Sequence, residues 1–275
     1  MPRSKYSRLV VPRKARDDSV VGLLSLSSPL GFLQTGEDLV ACFREASSAR
    51  EAGRALALRR IRHELVTDIP EGDPLETYRA ASRPFAVGRR FWIDPGDPSD
   101  SATPEGRIAL RLPASRAFGT GAHESTRLAL LALEEEALEG KDVLDGGTGS
   151  GVLALAATAL GADRAVAYDT DPEAVFLARE NLRRHLFGSR VLLLAGPTEA
   201  ISGTFAVVVA NLLPEELFSI RAALTARVAA GGHLILSGIP AEREEEVLSK
   251  VRSRRWPLAG CRRANGWTCV CLERA

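Results

Sequence analysis

The second half of the chain, from about Leu138 onward, alternates short apolar runs with longer amphipathic segments. Apolar runs of about four to eight residues are typical of buried strands, whereas longer amphipathic segments are typical of helices. Five strands are predicted in this way: Asp142–Leu144, Ala165–Tyr168, Val191–Leu194, Phe205–Ala210 and His233–Ser237. Four helices are predicted among them: Gly151–Ala159, Glu173–Leu186, Glu215–Val228 and Ala241–Val251. This alternation predicts an α/β fold with a doubly wound parallel sheet.

The first 80 or so residues have a different pattern. Strands are predicted at Arg8–Val11 and Gly31–Leu33, and helices at Asp17–Leu26 and Ser47–Arg62. Strands and helices in this order favour a small α+β sandwich of the βαβ type. This region contains no motif that indicates chemistry.

A proline-rich region separates these two parts of the chain. Its prolines are Pro70, Pro74, Pro84, Pro95, Pro98, Pro104 and Pro113. Proline and glycine interrupt helices and strands, so this region is predicted to be a linker with short strands. We therefore predict a small α+β domain over residues 1–80, a linker over 81–115 and the larger α/β domain over 116–275.

Charge and hydropathy limit the partners. The chain has 36 basic and 35 acidic residues, which gives no general case for a nucleic-acid or membrane surface. Its first 16 residues are a local exception, with no acid and six bases: Arg3, Lys5, Arg8, Arg13, Lys14 and Arg16. They could steer an acidic or RNA-bearing partner, or they could form a solvated arm or an edge strand. No signal peptide or apolar run of about 18 residues is found, so a cytoplasmic protein is predicted.

The cysteines and histidines give no metal-binding spacing. The four cysteines are Cys42, Cys261, Cys269 and Cys271, and none of them forms a C-x-x-C pair. Cys269 and Cys271 alternate within one strand and are predicted to be reduced and buried. His63, His185 and His233 lack sequence neighbours that would make them ligands or bases, so we predict no metal site.

The most informative segment is Val143–Gly151, Val-Leu-Asp-Gly-Gly-Thr-Gly-Ser-Gly, in which an apolar strand leads into a glycine-rich loop. Glycines at Gly147, Gly149 and Gly151 allow a sharp turn and the close approach of a ligand. The G-x-G-x-G spacing after an acid is that of S-adenosylmethionine (SAM) methyltransferases, whereas dinucleotide-binding loops have G-x-G-x-x-G and P-loops continue with Gly-Lys-Ser/Thr. An ordinary tight turn between strand and helix is the alternative.

An acidic residue lies where either cofactor class needs one. Asp169 ends the next strand about 20 residues after the loop, where a carboxylate can accept hydrogen bonds from ribose hydroxyls. Asp171 and Pro172 follow, and this pair is typical of an N-cap and the first position of a helix. Asp169 is therefore the candidate ligand and Asp171 the candidate cap.

The end of the chain distinguishes the two cofactor classes. The strands Leu258–Arg263 and Trp267–Glu273 are joined by Ala264-Asn265-Gly266, which is a hairpin signal. A closing hairpin is the layout of the class I methyltransferase sheet, in which the last strand is inserted antiparallel. A dinucleotide-binding domain would continue parallel.

Two further motifs flank the loop. The segment from Ala117 to Thr126, Ala-Phe-Gly-Thr-Gly-Ala-His-Glu-Ser-Thr, leads into a helix predicted over Arg127–Ala137 with Ser125 or Thr126 as N-cap. Free N–H groups at such a helix start suit the carboxylate of the cofactor's methionine part. Asn211 follows the fourth strand, where its amide could orient a substrate amine or serve as a turn residue. Leu212-Leu213 offers no aromatic platform for a flipped base, which disfavours a nucleobase substrate.

Taken in order, these motifs resemble those of the ribosomal protein L11 methyltransferase family. The resemblance extends from about Phe85 to the end of the chain. It implies that Asp169 binds the ribose of SAM and that Asn211 orients the substrate amine. The other SAM-binding residues implied are Phe118, Gly119, Thr120, Gly121, Thr126, Asp145, Gly147, Thr148, Gly149, Gly151 and Thr170. It also implies a class I methyltransferase Rossmann-like sheet preceded by a ferredoxin-like domain that recognises the ribosomal protein.

The expected reaction is SAM-dependent N-methylation of lysine side chains or of the α-amine of ribosomal protein L11, free or on the ribosome. The chain departs from the family at Leu112-Pro113-Ala114-Ser115, where Asp-Pro-Gly is usual, which keeps other substrates open. The alternatives are another protein, a small amine, an inactive SAM-binding module and, less favoured, a dinucleotide-dependent oxidoreductase. His123 could accept a proton or shape its loop.

Overall fold

The structure is a computed structural model that describes residues 5–12, 20, 23–24, 27, 29–35, 38–70, 84–95, 102–112 and 123–275. The chain divides into two compact units, Met1–Ser82 and Arg83–Ala275. No helix among the described residues is both long and apolar enough to cross a membrane.

The first unit contains a four-stranded antiparallel sheet and a helix. Its elements are β1 (Lys5–Pro12), β2 (Gly31–Thr35), β3 (Asp38–Phe43), α1 (Ala46–Leu58) and β4 (Glu64–Pro70). The strand order is β2-β3-β1-β4, and each neighbouring pair is antiparallel. Helical residues at Val20, Leu23 and Leu24 lie between β1 and β2. This order of strands and helices is the ferredoxin-like arrangement that the resemblance implies.

Alternation along β1 builds the core of this unit. Leu9 and Val11 are buried in one cluster with Leu56 of α1. Tyr6 lies in a second cluster with Val40. Successive strand residues face opposite sides, which explains the two clusters.

The sequence analysis predicts β1, β2 and α1 but neither β3 nor β4. The apolar run of β3 is too short for periodicity to distinguish a strand from a helix segment. The predicted helix Asp17–Leu26 lies mostly outside the described residues.

Three short strands begin the second unit: β5 (Phe85–Val87), β6 (Phe91–Asp94) and β7 (Ile108–Arg111). They form a sheet in the order β5-β6-β7. Phe91 and Ile93 are fully buried and belong to the main core of the unit. The predicted linker thus does contain short strands, but they are packed, because alternate apolar side chains give each strand a face to bury. The domain boundaries at residues 80 and 115 stay a prediction.

A seven-stranded sheet forms the body of the second unit. Its strands are β8 (Asp142–Gly146), β9 (Arg164–Asp169), β10 (Val191–Ala195), β11 (Phe205–Asn211), β12 (Val228–Pro240), β13 (Leu258–Ala264) and β14 (Trp267–Glu273). The order is β10-β9-β8-β11-β12-β14-β13. Strands β8 to β12 are parallel to one another, and β14 is antiparallel to both β12 and β13. The predicted class I methyltransferase sheet and its closing hairpin are confirmed.

Helices cover both faces of this sheet. They are α2 (Glu124–Glu134), α3 (Val152–Ala159), α4 (Pro172–Leu182), α5 (Pro214–Ala226) and α6 (Glu244–Val251). The predicted second helix ends at Leu182 rather than at Leu186, and a 3₁₀ helix follows at Leu186–Arg190.

The two faces have separate cores. In β11, Val207 and Val209 pack with residues of α2 and α3, whereas Val208 and Ala210 pack with residues of α5 and α6. The same alternation places Asn211, the next residue of the strand, on the face that α2 covers.

Candidate active site

Three polar side chains lie at the carboxyl ends of three adjacent strands. Asp169 ends β9, Asp145 is the penultimate residue of β8, and Asn211 ends β11. Strand β8 lies between the other two. The chain continues from β8 to β9 on one side and returns to β11 on the other, so a crevice forms at this edge. Such a switch point is where open α/β sheets bind ligands.

The loop after β8 has the backbone that its glycines allow. Gly147, Gly149 and Gly151 have φ values of 69°, 52° and 83°. A side chain at Gly147 would also collide with Leu212. The loop is held to β9 because the N–H groups of Gly147 and Thr148 donate to the Tyr168 carbonyl oxygen at 3.0 and 2.9 Å. The result is a narrow turn with little side-chain bulk.

Asp145 supports this loop from inside the fold and is completely buried. Its Oδ2 accepts hydrogen bonds from the Thr148 hydroxyl at 2.7 Å and from the Ala154 N–H at 3.1 Å. Its Oδ1 has no hydrogen-bond partner among the described residues. Burial raises the pKa of Asp145 to about 6, although these two hydrogen bonds favour the charged form.

Asp169 links the loop to the start of the next helix. Its Oδ2 accepts a hydrogen bond from the Gly149 N–H at 2.9 Å, and its Oδ1 accepts one from the Asp171 N–H at 3.0 Å. A carboxylate has about four acceptor positions, so it can still accept hydrogen bonds from a ligand. Thr170 is exposed beside it. Asp171 is the N-cap of α4, with its Oδ1 2.8 Å from the Glu173 N–H, which confirms that prediction.

Asn211 faces α2 and is fixed by it. Its Nδ2 donates to the Thr126 hydroxyl oxygen at 3.0 Å, and Thr126 is fully buried. Its Oδ1 is buried and has no hydrogen-bond partner among the described residues. Leaving a buried acceptor unpaired costs roughly 1–3 kcal/mol, so such an atom needs an explanation. A ligand N–H at this position would provide one.

The start of α2 differs from the prediction. The N-cap is His123, whose Nδ1 accepts from the Ser125 N–H at 3.3 Å, so Ser125 and Thr126 lie inside the helix. The His123 ring also packs edge-on against Trp267, with 4.7 Å between ring centroids. The Ser237 hydroxyl donates to the Ser125 carbonyl oxygen at 2.8 Å. These contacts give His123 a role in the start of the helix and tie α2 to the hairpin and β12.

Two contacts near the loop are missed by the sequence analysis. The Asn181 Nδ2 donates to the Ser150 carbonyl oxygen at 2.9 Å from the inner side of α4. The Tyr168 and Thr198 hydroxyls are 2.5 Å apart, and burial raises the pKa of Tyr168 to about 12. A polar residue on the inward face of a helix is a detectable signal for Asn181, whereas nothing in the sequence pairs Tyr168 with Thr198.

The structure therefore brings most of the predicted site residues to one edge of the sheet. The loop from Asp145 to Gly151 meets Asp169, and Thr126 meets Asn211. Phe118, Gly119, Thr120 and Gly121 lie outside the described residues, so their role stays a prediction, as do the individual roles of the others.

The remaining histidines and cysteines have mainly structural contacts. His185 accepts from the Arg111 N–H at 2.9 Å and contacts the Asn181 carbonyl oxygen, and burial lowers the pKa of His185. His233 lies near two potential co-ligands that are distant in the sequence, Glu136 and Cys271. All four cysteines are free, and Cys269 and Cys271 are also buried, as predicted for these two.

Comparison with known proteins gives one consistent result. The model of the ribosomal protein L11 methyltransferase (PrmA) family matches residues 32–275. A ribosomal protein L11 methyltransferase of Geobacter metallireducens is 45% identical over 208 residues, which cover 76% of this chain and 68% of that protein. One of Geotalea uraniireducens is 35% identical over 255 residues, or 88% of this chain and 78% of that protein.

A solved structure agrees with the sequence comparisons. The ribosomal protein L11 methylase of Lactobacillus delbrueckii subsp. bulgaricus superposes with a TM-score of 0.62 at 26% identity. The match covers 70% of this chain and 98% of that chain.

Proposed function

Because the chain belongs to the ribosomal protein L11 methyltransferase family, we propose that it methylates amino groups of ribosomal protein L11. The chain is a SAM-dependent methyltransferase, and SAM is its cofactor. The observation that carries the choice of an amine substrate is the buried Oδ1 of Asn211 at the ligand-binding edge of the sheet, which has no hydrogen-bond partner in the part of the chain that the structure describes.

The residues at this edge fit SAM. The glycine loop leaves room for a ligand close to the backbone, and Asp169 offers carboxylate oxygens to a ribose. The bound cofactor supplies a methyl group on a sulfonium, which is the reactive centre of the transfer. We assign the loop and Asp169 to the nucleoside, and Thr126 and Asn211 to the region where the methyl group is transferred.

Asn211 is the residue that can orient the amine. An amine attacks a sulfonium methyl group with its lone pair, so it must be neutral and must point its N–H bonds away from the methyl group. The Asn211 Oδ1 can accept a hydrogen bond from one of those N–H groups. Because the Asn211 amide nitrogen already donates to the Thr126 hydroxyl, the oxygen is the atom that stays available to the amine. The ordinary pKa is about 10.4 for a lysine side chain and about 7.7–8.0 for an α-amine. A lysine side chain is therefore protonated near neutral pH and must lose a proton before it can attack.

The side chains after Asn211 support an aliphatic amine rather than a nucleobase. Leu212 packs against the Gly147 position, and Leu213 is 51% exposed at the start of α5. Neither side chain provides an aromatic surface on which a flipped base could stack.

The first unit supplies substrate recognition in this proposal. It has its own core and contains none of the residues that we assign to the cofactor. A charge reversal on the exposed side of α1, Arg54→Glu, tests this role. We expect a higher KM for L11 with unchanged SAM affinity. Unchanged KM values for this and further exposed substitutions in the unit would contradict it.

Label transfer tests the proposed function directly. The purified protein is incubated with methyl-labelled SAM and, separately, with purified L11, with intact ribosomes and with a lysate from cells that lack this enzyme. We expect the intact mass of L11 to increase in steps of one methyl group, and the free and ribosomal arms show which form is used. Label on another protein or a small amine would move the substrate there. SAM binding without any label transfer would indicate an inactive binding module.

A further inference from the structure

A second group of chemically active side chains lies on the α2 face of the sheet: Glu136, His233 and Cys271. One ligand atom from each residue lies within 4.8 Å of the other two. The Glu136 carboxylate lies between the others, with its Oε2 2.7 Å from His233 Nδ1 and its Oε1 3.8 Å from Cys271 Sγ. The three atoms therefore surround a common point.

The fold fixes these three positions. His233 pairs with Glu273, and Ile235 pairs with Cys271, in the β12–β14 ladder. Residues directly opposite or two apart share a face in antiparallel strands, so His233 and Cys271 are diagonal neighbours on one side. Glu136 follows the end of α2, which packs on that side.

The group is separate from the site described above. His233 pairs with Val207 near the amino-terminal end of β11, whereas Ser237 pairs with Asn211 at its carboxyl end. Thr126 and Glu136 lie near opposite ends of α2, and ten helical residues span about 15 Å. The same helix thus connects the cofactor edge of the sheet to this group.

The donor set suits one class of ion. Thiolate, imidazole and carboxylate are the ligands of Zn²⁺, which is tetrahedral and often takes three protein ligands and a water molecule. Ligand atoms about 2.0–2.3 Å from a tetrahedral ion lie roughly 3.3–3.8 Å from one another. The Sγ–Oε1 distance of 3.8 Å already meets this requirement, and a small rotation of His233 opens its 2.7 Å contact. A sulfur ligand disfavours Mg²⁺ and Ca²⁺.

The surroundings allow a cation. Cys271 is buried, whereas the His233 side chain is 32% exposed, so its second ring nitrogen can reach water. Arg262 lies on the neighbouring strand, and its charge is balanced by an ion pair with Glu135.

We propose that Glu136, His233 and Cys271 form a binding site for a first-row divalent transition metal, with Zn²⁺ the best fit. The ion joins the end of α2 to β12 and β14. His233 binds the ion as a neutral imidazole through Nδ1 and keeps its N–H proton on Nε2, whereas the Cys271 thiol loses its proton to solvent and binds as a thiolate. This site is structural, because it lies away from the cofactor edge.

A zinc titration of the full chain tests the proposal. The protein is treated with a chelator, dialysed and titrated with Zn²⁺ in competition with a chromogenic chelator. We expect one tightly bound Zn²⁺ per chain and a higher Tm. Replacing Zn²⁺ with Co²⁺ is expected to give a thiolate-to-cobalt charge-transfer band, which reports the sulfur ligand.

Matched variants assign the ion to these residues. Cys271→Ser and His233→Gln should each weaken Zn²⁺ binding at least about 100-fold, more than the 10–100-fold loss typical of an outer-shell partner. Cys261→Ser is the control, because Cys261 packs with the core cluster on the opposite face of the sheet. We expect this variant to keep the affinity and the cobalt band, which Cys271→Ser should lose.

Three results would overturn the proposal: no stoichiometric Zn²⁺ uptake by the wild-type chain, no thiolate band with Co²⁺, or equal affinity in His233→Gln and wild type. The comparison of His233→Gln with the wild type does not require a substitution in the core, because the His233 side chain is 32% exposed. A circular dichroism melt in chelator establishes that each variant is folded.

Discussion

Polar residues have opposite roles at the two ends of the parallel strands in the seven-stranded sheet. We call the side where these strands end the carboxyl edge, and the side where they begin the amino edge. At the carboxyl edge, Asp145 and Asn211 each have one buried oxygen without a hydrogen-bond partner among the described residues. At the amino edge, Glu136, His233 and Cys271 contact one another. Unpaired buried acceptors destabilise a fold, so their concentration at one edge indicates a ligand that pairs with them. The group of Glu136, His233 and Cys271 already has its contacts without a ligand, and an ion there would replace them.

The largest expected effect is at the glycine loop. Gly149→Val places a β-branched residue in a left-handed backbone conformation, which costs roughly 1–2 kcal/mol. This conformational cost alone weakens cofactor binding up to about 30-fold. A displaced cofactor loses about another 100-fold in rate. We expect kcat/KM to fall roughly 500–3,000-fold, the product of these two losses, measured with labelled SAM.

Gly203→Val is the matched control for this variant. Gly203 also has a positive φ, 82°, but a side chain there meets open space. It should lose similar stability and keep its affinity for SAM. Undiminished SAM binding by Gly149→Val would remove the loop from the site.

A smaller effect is expected at Asn211. Asn211→Ala removes the acceptor for the substrate amine, and we expect kcat to fall about 100-fold because the amine is no longer oriented. SAM affinity, measured by calorimetry on the same sample, should change little. A normal kcat would remove the proposed role of the Asn211 side chain.

Thr126→Val should have a still smaller effect. It removes the hydroxyl that holds the Asn211 amide but leaves the amide in place. One hydrogen bond is worth about 1 kcal/mol, so we expect roughly a 5–10-fold loss of kcat. Thr126→Ser keeps the hydroxyl and should retain most of the activity. A serine variant as slow as the valine variant would show that methyl packing, and not the hydrogen bond, matters.

Asp145 allows a test of stability against pH. Its pKa is raised in the folded state from 3.8 to about 6, so the folded state binds more protons than the unfolded state between these values. Its contribution to stability is therefore present below about pH 4 and is lost as the pH rises through 6. Asp145→Asn should remove this part of the pH dependence in urea unfolding of the cofactor-free protein. Parallel pH profiles for the variant and the wild type would contradict the burial argument.

The smallest effect is expected at the amino edge. In the presence of a chelator, His233→Gln breaks one partly exposed contact with Glu136, which is worth about 0.5–1 kcal/mol in urea unfolding. Methyl transfer should be unchanged, because the contact lies away from the cofactor edge. A large loss of activity in chelator would show that the two edges are coupled through α2.

The sequence predicts the carboxyl edge better than the amino edge, and the reason is physical. A tight loop needs glycines at fixed spacing, and Asp169 follows at a distance that the fold sets, so both are visible in the sequence. The pairing of Thr126 with Asn211 joins residues 85 positions apart and needs the packed helix α2. The position of α2, and hence His123 as its N-cap, also depends on Trp267 of the hairpin.

Elsewhere, tertiary packing determines contacts and strands that the hydrophobic pattern of the sequence does not predict. Glu136 and His233 are 97 positions apart, and only the sheet register brings Cys271 beside them. Strand β3 has an apolar run too short for periodicity to identify, and the strands β5 to β7 pack because of the core that surrounds them. The order of strands and helices in the seven-stranded sheet of the second unit, in contrast, follows directly from the lengths of the apolar runs.

The central claim is that Thr126 acts through Asn211 to aim the amide oxygen at the amine. A double-mutant cycle on single-turnover methyl transfer, with SAM saturating, tests it most directly. If the claim holds, the variant carrying both Thr126→Val and Asn211→Ala is as slow as Asn211→Ala alone, about 100-fold below wild type. If the two losses instead multiply to roughly 500–1,000-fold, the residues act independently and the claim is contradicted.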